Sequence, residues 1–446
     1  MVDAVSVALI VSASIILIGF AANFMFKKTG LPDMLILIVL GAIFGPLLGV
    51  FDPTAVKNFA PYIAALALAY ILFDGGMGLN IKKVFSNSIK AVLLAVVGFS
   101  FSVIGVCIFT VFVYQVPWVY GLLFGSIFGG SSSVVVISLA SKIKLSEKGC
   151  TVLILESAIT DILCIIISLS LLDIIITGQA NLNAIAVGIA GKLLIGLLIG
   201  LALGLGWLFA LRKVVSMPFS YMLTLGIVLL GYAASESIGG SGALSALVFG
   251  LILGNERELF RLLSKVLPTE EKPVMVVSKG LKRFEAEIAF LIRTFFFVFL
   301  GIIFTYSSLV ILVSGIALSL VLLVTRLGAV YLTTSHSSLA KERPIMTVVL
   351  TRGLAAAVLA TLPGQYGLDY ADLFVNIAVV VIMCTAIIAT VGTVVLSRGE
   401  KGKEKIQLPS ELKEDEALEE EAPELPVDKA PAKKRKNTKK STPDNT

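Results

Sequence analysis

The sequence predicts an all-α polytopic membrane protein with about thirteen transmembrane helices, arranged as two inverted-topology repeats with broken crossing helices. Three observations predict this fold. Hydrophobic residues make up 57% of the 446 residues, charged residues only 15%, and mean hydropathy is +0.97. Apolar runs of about twenty residues, the length that crosses a bilayer as a helix, recur along most of the chain. Two of these runs are interrupted by glycine next to serine or arginine.

Thirteen segments are candidate spans, at residues 4–26, 32–50, 61–79, 89–113, 117–140, 149–175, 182–211, 217–235, 240–254, 285–305, 308–333, 344–362 and 371–397. Lys and Arg concentrate in every second connection, whereas the other connections carry almost no positive charge beyond Lys57. Because cytoplasmic loops are enriched in Lys and Arg, the N-terminus is expected outside and the C-terminus inside. The prediction is a multi-pass protein of the cell membrane whose first partner is the lipid bilayer.

The composition of the chain changes from apolar to highly charged near residue 397. Residues 1–397 form the predicted transmembrane domain, whereas residues 398–446 contain an acidic run followed by a basic run. This tail has too few apolar residues to build a core, so we expect it to be disordered and cytoplasmic.

Composition also argues against several function classes. The net charge of +6 is explained by the Lys/Arg excess of cytoplasmic loops, so no nucleic-acid partner is expected. The four cysteines lie in apolar segments without metal-ligand spacing, so neither a disulfide framework nor a cofactor is expected. We therefore expect a transporter and not an enzyme.

Two carboxylates lie within the sixth apolar segment, in the stretch "ESAITD". A charged carboxylate near the bilayer centre costs a few kcal/mol, so Glu156 and Asp161 mark a functional site by default. On a helix Ser157 and Asp161 share one stripe, as do Glu156 and Thr160, while Glu156 and Asp161 point about 140° apart. One carboxylate can therefore face a transported ion while the other faces a structural partner.

Two interrupted segments occupy corresponding places in the two predicted halves, spans one to six and eight to thirteen. Span five is interrupted at Gly129-Gly130 and the serines that follow, and span twelve at Arg352-Gly353. Each interruption alone is also compatible with a close helix crossing through small residues. Paired interruptions, however, indicate a substrate site near the midplane of a secondary transporter. Arg352 requires a buried partner, and Glu156 is the natural candidate.

Five motifs in order carry a family resemblance: "LFDGGMGL" (72–79), "GGSSSVVV", "ESAITD", "RTFFFVFLG" (293–301) and "LTRGLAAAV". On thirteen spans they resemble the monovalent cation/proton antiporters, specifically the archaeal and bacterial Na+/H+ exchangers of the CPA1 branch, called NhaP. The resemblance covers roughly residues 1–397 and implies the NhaA/NhaP-like antiporter fold. It also implies a homodimer and a role in pH homeostasis.

The resemblance assigns roles to the residues of the sixth span. It implies that Asp161 binds the cation, Na+ in the first instance, and the proton in turn. Ser157 and Glu156 are expected to help shape that ion-binding site. Thr160 replaces the family's usual Asn.

The same resemblance assigns roles at the two interruptions. Gly129 and Gly130 are expected to support the break, and Ser131 to supply a backbone or hydroxyl oxygen. Ser132 stands where the usual motif offers a carboxylate, which leaves selectivity open. Arg352 is expected to pair with Glu156 and hold the crossing together.

One further ion pair is expected away from the crossing. Arg293 lies in the middle of an apolar span, and Asp74 of "FDGG" is its candidate partner. We interpret this pair as structural support and not as part of the ion-binding site.

The predicted activity is secondary active Na+(Li+)/H+ antiport by alternating access, in which cation and proton compete for Asp161. Because Thr160 is not a second Asp, one proton should exchange for one monovalent cation, without net charge movement. K+/H+ exchange on the same fold stays open, since Thr160 and Ser132 both depart from the sodium-exchanger pattern. A cation channel is disfavoured because no repeated filter-like motif appears. An intramembrane serine hydrolase built on the Ser131 run is disfavoured because the chain's one His lies outside the spans.

Overall fold

The computed structural model of the protein describes residues 4–29, 31–51, 56, 59–78, 89–132, 135–136, 145–178, 182–214, 219–259, 279–305, 309–335 and 337–398. These residues all belong to one compact unit, Met1–Glu404. The expectation for the tail beyond residue 398 lies outside the described residues.

Every predicted span contains a helix. The α-helices, numbered in chain order, are α1 (Ala4–Thr29), α2 (Asp33–Ala42), α3 (Ala60–Gly78), α4 (Ile89–Tyr114), α5 (Trp118–Ile127), α6 (Glu147–Thr177), α7 (Leu182–Val214), α8 (Ser220–Ser237), α9 (Gly242–Gly254), α10 (Lys279–Ile303), α11 (Leu309–Thr333), α12 (Arg343–Val348), α13 (Leu354–Gln365) and α14 (Ala371–Arg398). A π-helical turn at Ile43–Leu47 extends α2, and a 3₁₀ turn at Ser338–Glu342 precedes α12.

The helices have the composition of membrane spans. Seven of the described helices are long and apolar enough to cross a bilayer, namely α1, α4, α6, α7, α10, α11 and α14. Five shorter apolar segments accompany them, at residues 33–47, 62–78, 118–127, 242–254 and 354–365. The prediction of an all-α polytopic membrane protein is confirmed.

The helices pack as two bundles. One, the crossing bundle, consists of α4–α6 and α11–α14, in which α4 packs on α5 and α11, and α14 packs on α11 and α13. The other, the panel bundle, consists of α1–α3 and α7–α10, in which α9 packs on α3 and α7, and α10 on α2. Each bundle therefore takes three successive spans from each of the two predicted inverted halves, and the panel bundle also contains span seven, α7, which links the halves.

Close backbone contacts hold the panel bundle together. A Cβ atom added to Gly41 of α2 would collide with the backbone of α10 at Val298, and one added to Gly250 of α9 would collide with α3 at Phe73. Only glycine permits this approach, so small residues set the helix spacing where no hydrophobic effect acts between helices in lipid.

The bundles meet at few places. Helix α3 of the panel bundle contacts α13 of the crossing bundle, and α10 touches α14. Just past the end of α10, Thr305 N donates to the buried Asn376 Oδ1 of α14 over 3.0 Å. Lys192 of α7 pairs with Asp173 of α6.

Candidate ion-binding site

The two interrupted segments meet inside the crossing bundle. Helix α5 ends at Ile127, and the chain stays non-helical through Ser132. Helix α12 ends at Val348, and α13 begins at Leu354. Ser132 N donates to Thr351 O over 2.7 Å, so the two breaks are joined by a backbone hydrogen bond. The predicted crossing of two broken helices is therefore present.

Gly353 allows the two breaks to approach this closely. A Cβ atom added to Gly353 would lie 2.6 Å from Ser132 Cβ and collide with its Oγ. Any larger residue at this position must separate the two segments. This requirement explains the glycine of "TRG" at the level of packing.

Helix α6 satisfies the freed backbone of the α5 break. Ser157 Oγ donates to Ser131 O over 2.8 Å, and Ser131 N donates to Thr160 Oγ1 over 3.2 Å. Thr160 Oγ1 in turn donates to Ser157 O over 3.0 Å. Since unpaired backbone groups are costly in a water-free interior, these contacts make the break tolerable at membrane depth.

Arg352 performs the corresponding task from the other break. Its guanidinium donates to Gly130 O, and its backbone N donates to Thr385 Oγ1 of α14 over 3.1 Å. The side chain is 1% exposed. Within the described residues, Arg352 Nε and the Thr351 hydroxyl have no hydrogen-bond partner.

The partner of Glu156 is Arg326, and the predicted Glu156–Arg352 pair is corrected. Arg326 Nη1 and Nη2 donate to Glu156 Oε1 and Oε2 over 2.9 and 3.0 Å, a bidentate contact. Both side chains are buried, and Arg326 Nε also donates to Met346 O of α12. Bidentate Arg–carboxylate pairs are strong and geometrically specific. Arg352 lies close enough to interact electrostatically with Glu156, but its hydrogen bonds go to backbone.

The sequence did not identify Arg326 as a partner of Glu156. Arg326 lies toward the predicted cytoplasmic end of its span, where a long side chain can reach the membrane surface and needs no buried partner. The signal that points to it is an Arg within the apolar run "LLVTRLGAV". An intramembrane Arg faces the bundle interior and pairs there. Two arginines were therefore available to Glu156, and only their relative orientation in the folded bundle distinguishes them.

Asp161 lies one turn beyond Ser157 on α6 and differs from its neighbours in exposure. Asp161 is partly exposed, whereas Glu156, Ser157 and Thr160 are buried. Its carboxylate interacts electrostatically with Arg352 and lies near Cys164. Of the two predicted carboxylates, Glu156 is thus the buried one that an arginine holds, and Asp161 is the partly exposed one.

The remaining predicted ligands are engaged to different degrees. Ser157 uses its proton toward Ser131 O, which leaves its oxygen lone pairs available to a cation. Ser131 Oγ donates to both Glu156 oxygens, at 3.4 and 3.3 Å. Thr160 Oγ1 both donates and accepts, and Ser132 packs against Gly353. Among these four residues, Ser157 thus keeps the acceptor capacity of its hydroxyl oxygen while its proton is used within the crossing.

Gly129 and Gly130 support the break by packing. A Cβ atom on Gly129 would collide with the Phe99 ring of α4, and one on Gly130 would lie 2.7 Å from Cys164 Sγ of α6. The carbonyl of Gly130 accepts from Arg352 and that of Ser131 accepts from Ser157. Each of these two carbonyls therefore has one lone pair already in use, including that of Ser131, which was expected to supply an oxygen to the ion.

The predicted pair of Asp74 and Arg293 is also corrected. Arg293 Nη2 donates to Asp33 Oδ2 over 3.3 Å, and both side chains are largely buried. Asp74 is close enough to interact with Arg293 electrostatically. The sequence pointed to the right arginine, but Asp33 at the start of α2 is its hydrogen-bonded partner. These residues belong to the panel bundle, outside the crossing.

Comparison with known proteins agrees with this architecture. Residues 10–399 match the family model described as sodium/hydrogen exchanger, transmembrane. The chain belongs to this exchanger family. Its solved neighbours include the sodium proton antiporter MjNhaP1 from Methanocaldococcus jannaschii at pH 8, with a TM-score of 0.68 and 22% identity. That alignment covers 89% of this chain and 97% of that one. The fold expected from the resemblance is confirmed.

Curated relatives of this chain are named for two different cations. The K(+)/H(+) antiporter NhaP2 of Shewanella sp. (strain MR-4) is 29% identical over 375 residues, which cover 81% of this chain. The Na(+)/H(+) antiporter NhaP of Pseudomonas aeruginosa is 26% identical over 204 residues, which cover 44% of this chain and 48% of that protein. The chain spans about three fifths (61%) of the length of the NhaP2 relatives that it matches.

Removing either member of the Glu156–Arg326 pair should strongly destabilise the exchanger. Glu156→Gln or Arg326→Gln each leaves one buried charge unpaired, which costs about 3–5 kcal/mol. The double variant should lose less than the sum, because neither charge remains. Thermal unfolding of the purified protein in detergent measures all three. The contradicting result would be a double-mutant cycle in which the coupling energy between Glu156 and Arg352 exceeds the coupling energy between Glu156 and Arg326.

Gly353→Ala should force the two breaks apart and lower stability by about 1–3 kcal/mol, the usual cost of overpacking. Ser132→Gly in the same chain should restore much of the loss, because it removes the atoms that the new methyl group meets. Gly364→Ala is the matched control at the far end of α13, where the nearest atom, Ala371 Cβ, would lie 3.7 Å away. The measurement is the melting temperature of Gly353→Ala, of the double variant with Ser132→Gly, and of Gly364→Ala. An equal drop in melting temperature for Gly353→Ala and Gly364→Ala would contradict the prediction.

Proposed function

We propose that this protein is a monovalent cation/proton antiporter in which Na+ (or Li+) and H+ compete for Asp161. One observation carries the proposal: Asp161 is the partly exposed carboxyl at a crossing whose other carboxyl, Glu156, is held by Arg326. A site that accepts either a proton or a cation, but not both, exchanges one for the other. Membership of the sodium/hydrogen exchanger family supports the proposal.

The exchange is proposed to be electroneutral. The crossing holds two arginines, Arg326 and Arg352, against Glu156 and Asp161. With Asp161 either protonated or Na+-bound, these groups carry the same total charge. Because the two forms that change sides are equal in charge, one turnover moves no net charge across the membrane.

K+ is the second candidate cation. Ser132 lacks the carboxylate that the resemblance leads one to expect, and relatives that align over most of this chain are named as K(+)/H(+) antiporters. A site with fewer anionic oxygens competes less well for the strongly hydrated Na+. The fold neighbour MjNhaP1 is named as a sodium proton antiporter, so the first proposal stays with Na+ and Li+.

The setting of this activity is proposed with it. Residues 1–397 act as the transport domain in the plasma membrane, with the N-terminus outside. The antiporter works as a homodimer and contributes to pH homeostasis, as the family resemblance implies. Alternating access requires the crossing bundle to move against the panel bundle, and the sparse contacts between them support such motion.

Asp161→Asn should abolish exchange without unfolding the protein. Wild-type protein in proteoliposomes with an acidic interior should dequench a ΔpH-sensitive dye on Na+ or Li+ pulses, and the variant should not. Asn keeps the size of Asp161 but binds neither a proton nor a cation by charge. Cys164→Ser, which leaves the carboxyl intact, is the control. A response to K+ alone would assign the second candidate, and no response to any cation would overturn the antiporter proposal.

Transport by the wild-type protein should not depend on membrane potential. Imposing a potential of either sign across the proteoliposome, with a potassium ionophore and sodium as the transported cation, should leave the initial rate unchanged within about twofold. Equal charge on the two translocating forms is the reason, because a potential of 100 mV is worth about 2.3 kcal/mol per elementary charge moved. A rate that rises steeply with one sign of the potential would show that charge is moved.

A further inference from the structure

Helix α6 begins with only half of a capping box. In this motif the side chain of an N-cap serine accepts a hydrogen bond from the amide three residues on, and a Glu at that third position accepts from the amide of the serine. Ser146 is the N-cap of α6, and its Oγ accepts from Gly149 N over 3.1 Å. Because Gly149 has no side chain, the carboxylate half of the motif cannot come from α6 at this position.

Glu342 supplies the carboxylate from another part of the chain. Ser146 N donates to Glu342 Oε1 over 3.2 Å, across 196 positions. A Cβ atom added to Gly149 would collide with Glu342 Oε2, so this carboxylate occupies the space that a side chain at position 149 would take. The positive end of the helix dipole also favours a carboxylate here. The capping box of α6 is thus divided between the two predicted inverted halves, and we call it the divided capping box.

Glu342 lies at the start of the second broken span. It is the N-cap of α12, yet within the described residues its side chain makes no capping hydrogen bond to that helix. Nearby contacts hold this part of the backbone in place. Lys90 Nζ of α4 donates to Ser337 Oγ over 2.6 Å, and Arg343 Nε donates to Thr334 Oγ1, just past α11, over 2.8 Å. The carboxylate therefore projects from a segment that is itself attached to two neighbouring helices.

A second link joins α6 to α12 further along. Glu156 pairs with Arg326, whose Nε donates to Met346 O of α12. Glu156 follows Ser146 by ten residues, which is about 15 Å along a helix. One attachment would let α6 pivot or slide, whereas two attachments at different heights fix both its direction and its depth. Asp161, the proposed cation ligand, lies beyond the second attachment.

We propose that Glu342 is a positioning residue for cation exchange, and that its carboxylate links the start of α6 to the start of α12. This link sets the depth of α6 at the crossing, and with it the placement of Asp161 and Ser157 against the carbonyl of Ser131. Glu342 does not itself bind the cation. The consequence for transport rests on the proposed function, whereas the divided capping box can be tested on stability alone.

Moving the acceptor into α6 tests the divided capping box. Glu342→Ala should lower the melting temperature of the purified full-length protein, because Ser146 N loses its acceptor. Adding Gly149→Glu rebuilds a capping box within α6. This double variant should melt about 1–2 °C higher than the matched double variant Gly149→Ala/Glu342→Ala, which removes the same glycine but provides no acceptor. Equal melting temperatures of the two double variants would overturn the divided capping box.

Transport in proteoliposomes distinguishes a link from a helix cap. Glu342→Ala should raise the apparent KM for the transported cation about three- to tenfold, a part of what one hydrogen bond to a charged group contributes. Gly149→Glu/Glu342→Ala should keep the raised KM, because its cap is local and the link is still absent. Glu342→Gln keeps an acceptor oxygen and should lie between Glu342→Ala and the wild type. Lys341→Ala, which removes an exposed side chain of the same turn, is the control.

A wild-type KM in Glu342→Ala or in Gly149→Glu/Glu342→Ala would make Glu342 a helix cap and overturn the proposal. Hydrogen exchange gives a readout that needs no transport. Residues 337–342 should lose protection in both variants, whereas the start of α6 should lose protection only in Glu342→Ala. Wild-type protection of residues 337–342 in both variants would also overturn the link. Absence of a cation response in the wild type would instead count against the proposed function alone.

Discussion

Hydrogen bonding of the backbone at the two helix breaks is the constraint on which the structure depends. Within an apolar medium a break leaves carbonyl and amide groups that water cannot reach, so each needs a partner in the protein. Here the two breaks are partners of each other, because Ser132 N donates a hydrogen bond to Thr351 O. The side chains of Ser157, Thr160 and Thr385 supply much of the rest. The polar residues of α6 are therefore structural parts of the crossing as well as parts of a site.

The pairing of charges at the crossing also follows from which groups the broken backbone needs as hydrogen-bond partners. The guanidinium of Arg352 reaches a backbone carbonyl at the α5 break, and this leaves Glu156 to Arg326 of α11. A buried ion pair is tolerated only with good geometry, and the bidentate contact provides it. With Glu156 held in this way, Asp161 is the partly exposed carboxyl of the crossing, and it is the one we propose to exchange its proton for a cation.

The two bundles differ in how their helices are built and packed. The crossing bundle contains the broken helices with Arg326 and Arg352, whereas the panel bundle has glycine-mediated backbone contacts such as those at Gly41 and Gly250. Contacts between the bundles are few, and one of them, Thr305 N to Asn376 Oδ1, is a single hydrogen bond. A bundle that moves as a unit needs strong internal packing and a weak boundary, and both are present.

The sequence by itself determined the class, the thirteen helical segments, both breaks and the two carboxylates of α6. Hydropathy over twenty residues, glycine next to polar residues, and a charge in an apolar run are local signals, and each can be recognised without knowing how the helices pack. Only the tertiary structure decided which arginine meets Glu156, and that Asp33 and not Asp74 is hydrogen-bonded to Arg293. These choices join residues from 170 to 260 positions apart. They depend on helix rotation and depth to within about one turn, which the apolar composition of a membrane helix leaves undetermined because lipid-facing and protein-facing sides are equally hydrophobic.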